Sequence, residues 1–168
     1  MFYFAYGSNL STERLTRRVP STELITTGRL THHRLVFHKI GRDGSAKCNA
    51  FFTGQLDDYL YGALYKINPD HKKHLDQAEG LGNGYETKQV IIVTELQKNI
   101  KAYTYFATRI AANIEPFHWY KQHVLSGAKE HCFPEPYIEK IALIPSFEDK
   151  DLKRTKQEQD IYSTDRKI

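Results

Sequence analysis

Two short segments carry residue types that could act together on a small anionic substrate. The first, Tyr-Gly-Ser-Asn-Leu at residues 6–10, directly follows an apolar, aromatic run. Gly7 permits a sharp turn, and Ser8 and Asn9 are residue types that could cap a helix over residues 11–15. A strand that turns into a helix presents unpaired N–H groups at the positive end of the helix dipole. The segment therefore predicts an anion-binding turn, although an ordinary strand, turn and cap has the same composition.

The second segment ends in Glu79, in the last turn of a predicted helix and just before Gly80. The helix dipole disfavours a carboxylate there by about 0.3–1 kcal/mol, and a residue that breaks a local rule can indicate function. Removal of water by apolar neighbours would make the carboxylate a stronger base, fit for general acid–base catalysis. The alternative is a solvated carboxylate at a helix end, which the spacing alone does not exclude.

The other residues able to do chemistry form no recognisable site. His71 and His74 lie at i, i+3, but without an H-E-x-x-H pattern or a third ligand, so no metal site is predicted. Ser8 lacks the second glycine of a nucleophile elbow and is assigned as a donor or cap. The glycines of residues 80–84 precede a strand, which argues against dinucleotide binding. Tyr120 lies on the apolar face of a helix, where a core role is the alternative to contact with a ligand.

Composition limits the class of protein. The 168 residues suffice for one domain with a sizeable core. The net charge of +4 comes from scattered basic residues, with no basic stripe that would indicate nucleic-acid binding. Cys48 and Cys132 are far apart and predict neither a disulfide framework nor a zinc site. Because no run of about 18 apolar residues occurs, we expect a cytoplasmic protein that binds neither nucleic acid nor a membrane.

Strands and helices alternate unevenly along the chain. The predicted strands cover residues 2–6, 23–30, 34–40, 46–53, 59–67, 85–95 and 100–108. The predicted helices cover residues 11–19, 69–79, 117–128 and 134–144. We expect one domain over residues 1–147 and a charged tail over residues 148–168, as a solvated helix or a disordered segment. The pattern predicts an α+β fold with a strongly curved mixed sheet or small β-barrel flanked by helices.

Three motifs taken together resemble the γ-glutamylcyclotransferase family. They are Tyr-Gly-Ser-Asn-Leu at residues 6–10, Leu-Asp-Gln-Ala-Glu-Gly at 75–80, and Tyr120-Lys121 followed by Gly-Ala-Lys-Glu at 127–130. The similarity covers residues 1–145, in order and with matching spacing. It implies a small barrel-like fold flanked by helices, and an enzyme that releases 5-oxoproline from a γ-glutamyl compound without a cofactor or metal.

The resemblance also implies a set of site residues. Glu79 matches the family's acid/base glutamate, and Tyr120 matches a tyrosine that contacts substrate. The predicted substrate-binding residues at the N-terminus are Tyr3, Phe4, Ala5, Tyr6, Gly7, Ser8 and Asn9. One segment departs from the family, because residues 46–50 read Ala-Lys-Cys-Asn-Ala where related animal enzymes are glycine-rich. This departure affects one wall of the pocket and the leaving group that it accepts.

The chemistry implied by the resemblance needs few groups. The α-amine of a γ-glutamyl substrate reaches its own γ-carbonyl through a five-membered ring, so the substrate supplies the nucleophile. Glu79 would move the protons, while N–H groups near Gly7 and Asn9 would hold the α-carboxylate or the oxyanion. We expect γ-glutamyl amino acids as the small-molecule substrates, with γ-glutamylamines such as side-chain-linked γ-glutamyl-lysine as the alternative. The alternative from another class is a non-enzymatic binding module, and the aromatic-rich composition is compatible with a homodimer.

Overall fold

A computed structural model describes residues 1–162, and the last six residues of the predicted tail, 163–168, lie outside the described residues. The strands are β1 (Phe2–Ala5), β2 (Glu23–Thr31), β3 (His33–Ile40), β4 (Ala46–Phe52), β5 (Tyr59–Lys66), β6 (Tyr85–Thr94) and β7 (Asn99–Ala107). The helices are α1 (Thr12–Arg18), α2 (Lys72–Glu79), α3 (His118–Glu130), α4 (Glu135–Ala142) and α5 (Leu152–Gln159). Short 3₁₀ turns at Ser8–Leu10 and Pro69–His71 precede α1 and α2.

Five strands close into a barrel in the order β1-β5-β2-β6-β7. Neighbours along this order pair antiparallel, and β1 closes the ring against β7 in parallel through Tyr3 and Tyr103. Gly62 allows β1 and β5 to approach closely, because a Cβ atom at this position would lie 2.4 Å from Phe4 Cζ. The predicted small mixed barrel flanked by helices is confirmed.

The two remaining strands, β3 and β4, form a hairpin that lies against the chain after β7. The Asn49 side chain accepts a hydrogen bond from the Ala107 backbone at 2.7 Å, and the Ile40 N–H donates to the carbonyl of Arg109 at 3.0 Å. The hairpin is joined to the barrel again where the Tyr85 hydroxyl donates to the Cys48 carbonyl. These bonds fix the hairpin as a wall beside the end of β1.

Helix α1 begins differently from the prediction. Ser8 and Asn9 do not cap it, since they belong to the 3₁₀ turn and their side chains are buried. The cap is Ser11, whose hydroxyl accepts a hydrogen bond from the Arg14 N–H at 3.4 Å. The extra turn directs Ser8 and Asn9 into the interior, and a Cβ atom at Gly127 of α3 would lie 2.6 Å from the backbone of this turn.

The charged C-terminal segment is held on α3 by buried polar contacts. The Trp119 indole N–H donates to the Asp149 carboxylate at 2.9 Å. Glu158 of α5 binds both His123 and Arg14. Burial alone would raise the pKa of Glu158, but its hydrogen bond with His123 and the charge of Arg14 bring the pKa to about 2.

No helix within residues 1–162 is both long and apolar enough to cross a membrane.

Candidate active site

The end of β1 meets the β3–β4 hairpin and helix α3. The Tyr6 hydroxyl donates to the carbonyl of Tyr105 at 2.7 Å, which ties the strand end to β7. Gly7 follows, and a Cβ atom at its position would lie 3.1 Å from Cys48 Cβ and 3.7 Å from the Tyr120 hydroxyl. The Tyr120 hydroxyl in turn accepts a hydrogen bond from the Cys48 N–H at 3.1 Å. Gly7 therefore permits three elements to converge on one point.

Glu79 is the last residue of α2, and only one of its carboxylate oxygens is bound. Oε1 accepts hydrogen bonds from Asn9 Nδ2 at 2.7 Å and from Arg18 Nη1 at 3.1 Å. Arg18 also donates to Asn9 Oδ1 at 2.7 Å, and Asn9 Nδ2 lies 3.2 Å from the Tyr3 hydroxyl. Because a guanidinium only donates and a carboxylate only accepts, these contacts fix the orientation of the Asn9 amide. Oε2 has no hydrogen-bond partner among the described residues and is available to a substrate.

Tyrosine hydroxyls surround the carboxylate. Burial, and after it the charge of Glu79, raises the pKa of Tyr3 well above its ordinary value. Burial likewise raises the pKa values of Tyr6, Tyr85 and Tyr120. These side chains therefore stay protonated near neutral pH and act as uncharged hydrogen-bond donors.

Two cavities meet at Glu79. The smaller has a volume of about 20 Å³ and lies under the turn after β1, and the larger has about 210 Å³ and extends toward the hairpin. Both are lined by Ser8, Glu79, Tyr85 and Tyr120. The Ser8 hydroxyl has no partner within the part of the chain that the structure describes. A substrate that spans both cavities would pass directly beside the free carboxylate oxygen.

Most of the predicted site residues come together. The smaller cavity is lined by the predicted residues Tyr3, Tyr6, Gly7, Ser8, Asn9, Glu79 and Tyr120. Phe4 and Ala5 are not brought to either cavity. Both side chains are fully buried. Alternate side chains of a strand point to opposite faces, so Phe4 points away from Tyr3 and its ring packs against Gly62. A third cavity, of about 540 Å³, lies between β3 and α4, and none of the predicted site residues lines it.

Sequence reasoning missed Arg18 and Tyr85, and it placed Cys48 only within the segment 46–50 expected to affect one wall of the pocket. Arg18 looks in the sequence like an ordinary basic residue in the last turn of a helix, and its contact with Glu79 spans 61 residues. Tyr85 follows the glycine loop at the start of a strand, as many aromatic residues do. Both cysteines are free thiols, and burial raises the pKa of Cys48, so its thiol stays protonated and is a poor nucleophile.

Metal ligands do not gather at this site or elsewhere in the described chain. Within residues 1–162, no group of three or more His, Cys, Asp or Glu side chains is placed to hold a metal ion. The groups that the site offers are the carboxylates of Glu79 and Asp43, neutral hydroxyls, an amide and several cations. This set suits proton transfer and binding of a charged small molecule.

Comparison with known proteins gives concordant matches. The AIG2-like family matches residues 59–141. Gamma-glutamylcyclotransferases of Homo sapiens and Mus musculus are each 32% identical to the chain, over 150 and 146 residues, and the matches cover 84% of this chain and 77% of each relative. A solved structure described as gamma-glutamyl cyclotransferase is similar with a TM-score of 0.84 at 28% identity, over 94% of this chain and 96% of that one.

Proposed function

The chain belongs to the gamma-glutamylcyclotransferase family and is an enzyme of that type, and we propose that it converts γ-glutamyl amino acids to 5-oxoproline and a free amino acid. The observation that carries this proposal is the state of Glu79. Its Oε1 is held by Asn9 and Arg18, Oε2 has no partner among the described residues, and the Glu79 side chain borders both cavities. A carboxylate fixed in this way can move a proton without first breaking an ion pair.

The smaller cavity suits one oxygen atom of the glutamyl group. Its volume of about 20 Å³ admits a group about the size of a water molecule. Its lining holds neutral tyrosine hydroxyls and no Lys or Arg, and the Glu79 carboxylate borders it. A permanent negative charge would be repelled there, whereas the γ-carbonyl oxygen gains its charge only in the transition state. We assign this cavity to the γ-carbonyl oxygen and leave the α-carboxylate to Arg18, which lines the larger cavity.

The reaction balances with Glu79 as the only acid and base. Glu79 takes a proton from the α-ammonium, and the free amine attacks the γ-carbonyl to form a five-membered ring. As the tetrahedral intermediate collapses, Glu79 passes the proton to the leaving nitrogen and the C–N bond breaks. Glu79 then takes a second proton from the positively charged ring nitrogen and passes it to the departing amine. Of the three protons on the α-ammonium, one stays on the lactam nitrogen and two end on the leaving amine. Ring closure within one molecule avoids the entropy loss of bringing two reactants together.

The test is incubation of the purified protein with γ-glutamyl-alanine, followed by detection of 5-oxoproline. A panel of γ-glutamyl amino acids and γ-glutamylamines at matched concentrations extends the assay. We expect product from the amino acid derivatives. The absence of product from every γ-glutamyl amino acid would contradict the proposal, and higher kcat/KM with γ-glutamylamines would replace it with the γ-glutamylamine alternative.

A further inference from the structure

The larger cavity beside Glu79 carries an excess of positive charge. Its lining includes the basic side chains Arg14, Arg18, Lys39, Arg42 and Lys47 and the acidic side chains Asp43 and Glu79. Five cations thus face two carboxylates in a space of about 210 Å³. Such a cavity concentrates anions.

Three of these cations have an acidic partner in the protein. Arg14 binds Glu158 from α5. Arg18 binds Glu79, and Lys47 binds Asp43 at 2.8 Å. The remaining two, Lys39 and Arg42, form no ion pair with any described residue.

Lys39 is buried although it forms no ion pair with any described residue. Only 5% of the residue is exposed, and its ammonium lies 4.6 Å from the centre of the Tyr85 ring. Its stem runs beside Gly84, where a Cβ atom would lie 3.1 Å from Lys39 Cε. Burial lowers the pKa of Lys39, although the charge of Glu79 acts in the opposite direction. An ammonium that is buried without an acid is energetically unfavourable, and an anion entering the cavity would relieve that penalty.

The anion that fits is carried by the leaving group. The proposed function, on which this inference rests, leaves the glutamyl α-carboxylate with Arg18, which already contacts Glu79. In a γ-glutamyl amino acid, the second carboxylate sits on the carbon bonded to the leaving nitrogen. We propose that Lys39 binds this carboxylate, so that the enzyme selects γ-glutamyl compounds whose leaving amine carries an anionic group.

Arg42 extends the subsite toward solvent. A Cβ atom at Gly80 would lie 3.3 Å from Arg42 Nη2, so the guanidinium crosses the end of α2 at the rim of the cavity. Arg42 is exposed, in contrast to Lys39. It lies where a second carboxylate, such as the side chain of a leaving glutamate, would emerge. Lys47 is paired with Asp43, and both side chains line the cavity.

A matched pair of substrates tests the role of Lys39. Ethylamine is alanine without its carboxylate, so γ-glutamyl-ethylamide and γ-glutamyl-alanine differ in the group that Lys39 is proposed to bind. For the unmodified enzyme we expect kcat/KM to be roughly 10- to 100-fold higher with γ-glutamyl-alanine, the range for a charged hydrogen bond. In Lys39→Met the ratio should fall toward one, through loss on the alanine substrate alone. Both substrates are measured on one preparation, so a misfolded fraction cancels from the ratio.

Two further variants control the measurement. Lys88 is half-buried and, like Lys39, lies over an aromatic ring, 5.4 Å from the centre of Phe106, but it lies outside the cavity. Lys88→Met should leave the ratio unchanged, and Lys39→Arg, which keeps a cation, should keep it above one. Equal loss of kcat/KM on both substrates in Lys39→Met would overturn the proposal, because Lys39 would then act on the glutamyl group or on Glu79. If neither substrate yields 5-oxoproline with the unmodified enzyme, the proposed function fails and this inference fails with it.

Discussion

Two of the three arginines of helix α1, Arg14 and Arg18, lie one turn apart, and each binds a carboxylate from a distant part of the chain. Arg14 binds Glu158, which also binds His123, and these contacts bring the pKa of Glu158 to about 2. Arg18 binds Glu79, yet the second oxygen of Glu79 keeps no partner among the described residues, and Glu79 borders a cavity. The two clusters are thus similar in composition, but only the Glu79 cluster leaves a carboxylate oxygen without a partner among the described residues. The Glu158 cluster attaches a helix, whereas the Glu79 cluster orients a group that can still react.

The sharpest test of this difference exchanges each carboxylate for its amide. Glu79→Gln should lower kcat by about 10²–10⁴-fold, the range for loss of a general acid–base group. Substrate binding should persist, since an amide at this position still accepts hydrogen bonds from Asn9 and Arg18. Glu158→Gln is the control and should leave kcat little changed. Turnover by Glu79→Gln comparable to the unmodified enzyme would remove Glu79 from the proposed mechanism.

The two arginines provide a second test of smaller size. Arg18→Gln should lower kcat/KM by about tenfold or more, because the substrate α-carboxylate loses its proposed cation and Glu79 keeps only Asn9 to orient it. Arg14→Gln should instead lower the free energy of unfolding by about 1–3 kcal/mol, because it leaves a partly buried carboxylate underpaired. Kinetics and thermal unfolding of both variants separate the outcomes. If the two variants lost activity and stability in equal proportion, the distinction between the clusters would not hold.

The smallest effect is expected in the pH dependence of stability. The folded pKa of Glu158 is lower than its unfolded value, so its contribution is present above that unfolded value and is lost as pH falls toward about 2. Thermal unfolding of Glu158→Gln and of the unmodified protein should therefore differ most near neutral pH and converge in strong acid. A difference that stayed constant down to pH 2 would show that Glu158 does not contribute through its charge.

Much of the fold could be predicted because its signals are local. Apolar runs bounded by glycine and proline marked the strands, and Asn68 before Pro69 marked the start of the second helical segment, where the Asn68 side chain accepts from the Asp70 N–H at 3.1 Å. Glu79 attracted notice because it breaks a local rule at a helix end. The cap of α1 was misplaced because Ser8, Asn9 and Ser11 are equivalent in type, and only tertiary packing selects among them.

The features that could not be predicted depend on contacts between residues that are far apart in the sequence. Arg14 and Glu158 are 144 residues apart, and nothing in either neighbourhood indicates the other. Lys39 lies in a strand whose side chains alternate between two faces, so the sequence is compatible with a solvent-exposed lysine. Its burial follows only from the way the hairpin lies on the barrel. The motifs could nominate Glu79 and most of the residues that line the smaller cavity. The cationic cavity could not be predicted, because its residues come from separate elements and match no motif.

The parallel pairing of β1 with β7 bears on how the enzyme becomes active. Tyr3 meets Tyr103 only after about a hundred residues have formed a closed loop, and bringing such distant segments together is entropically demanding. The turn that forms the site directly follows β1, so it reaches its final position only when β1 has paired with both β5 and β7. Recovery of enzymatic activity during refolding should consequently follow barrel closure, later than signals from the β6–β7 hairpin.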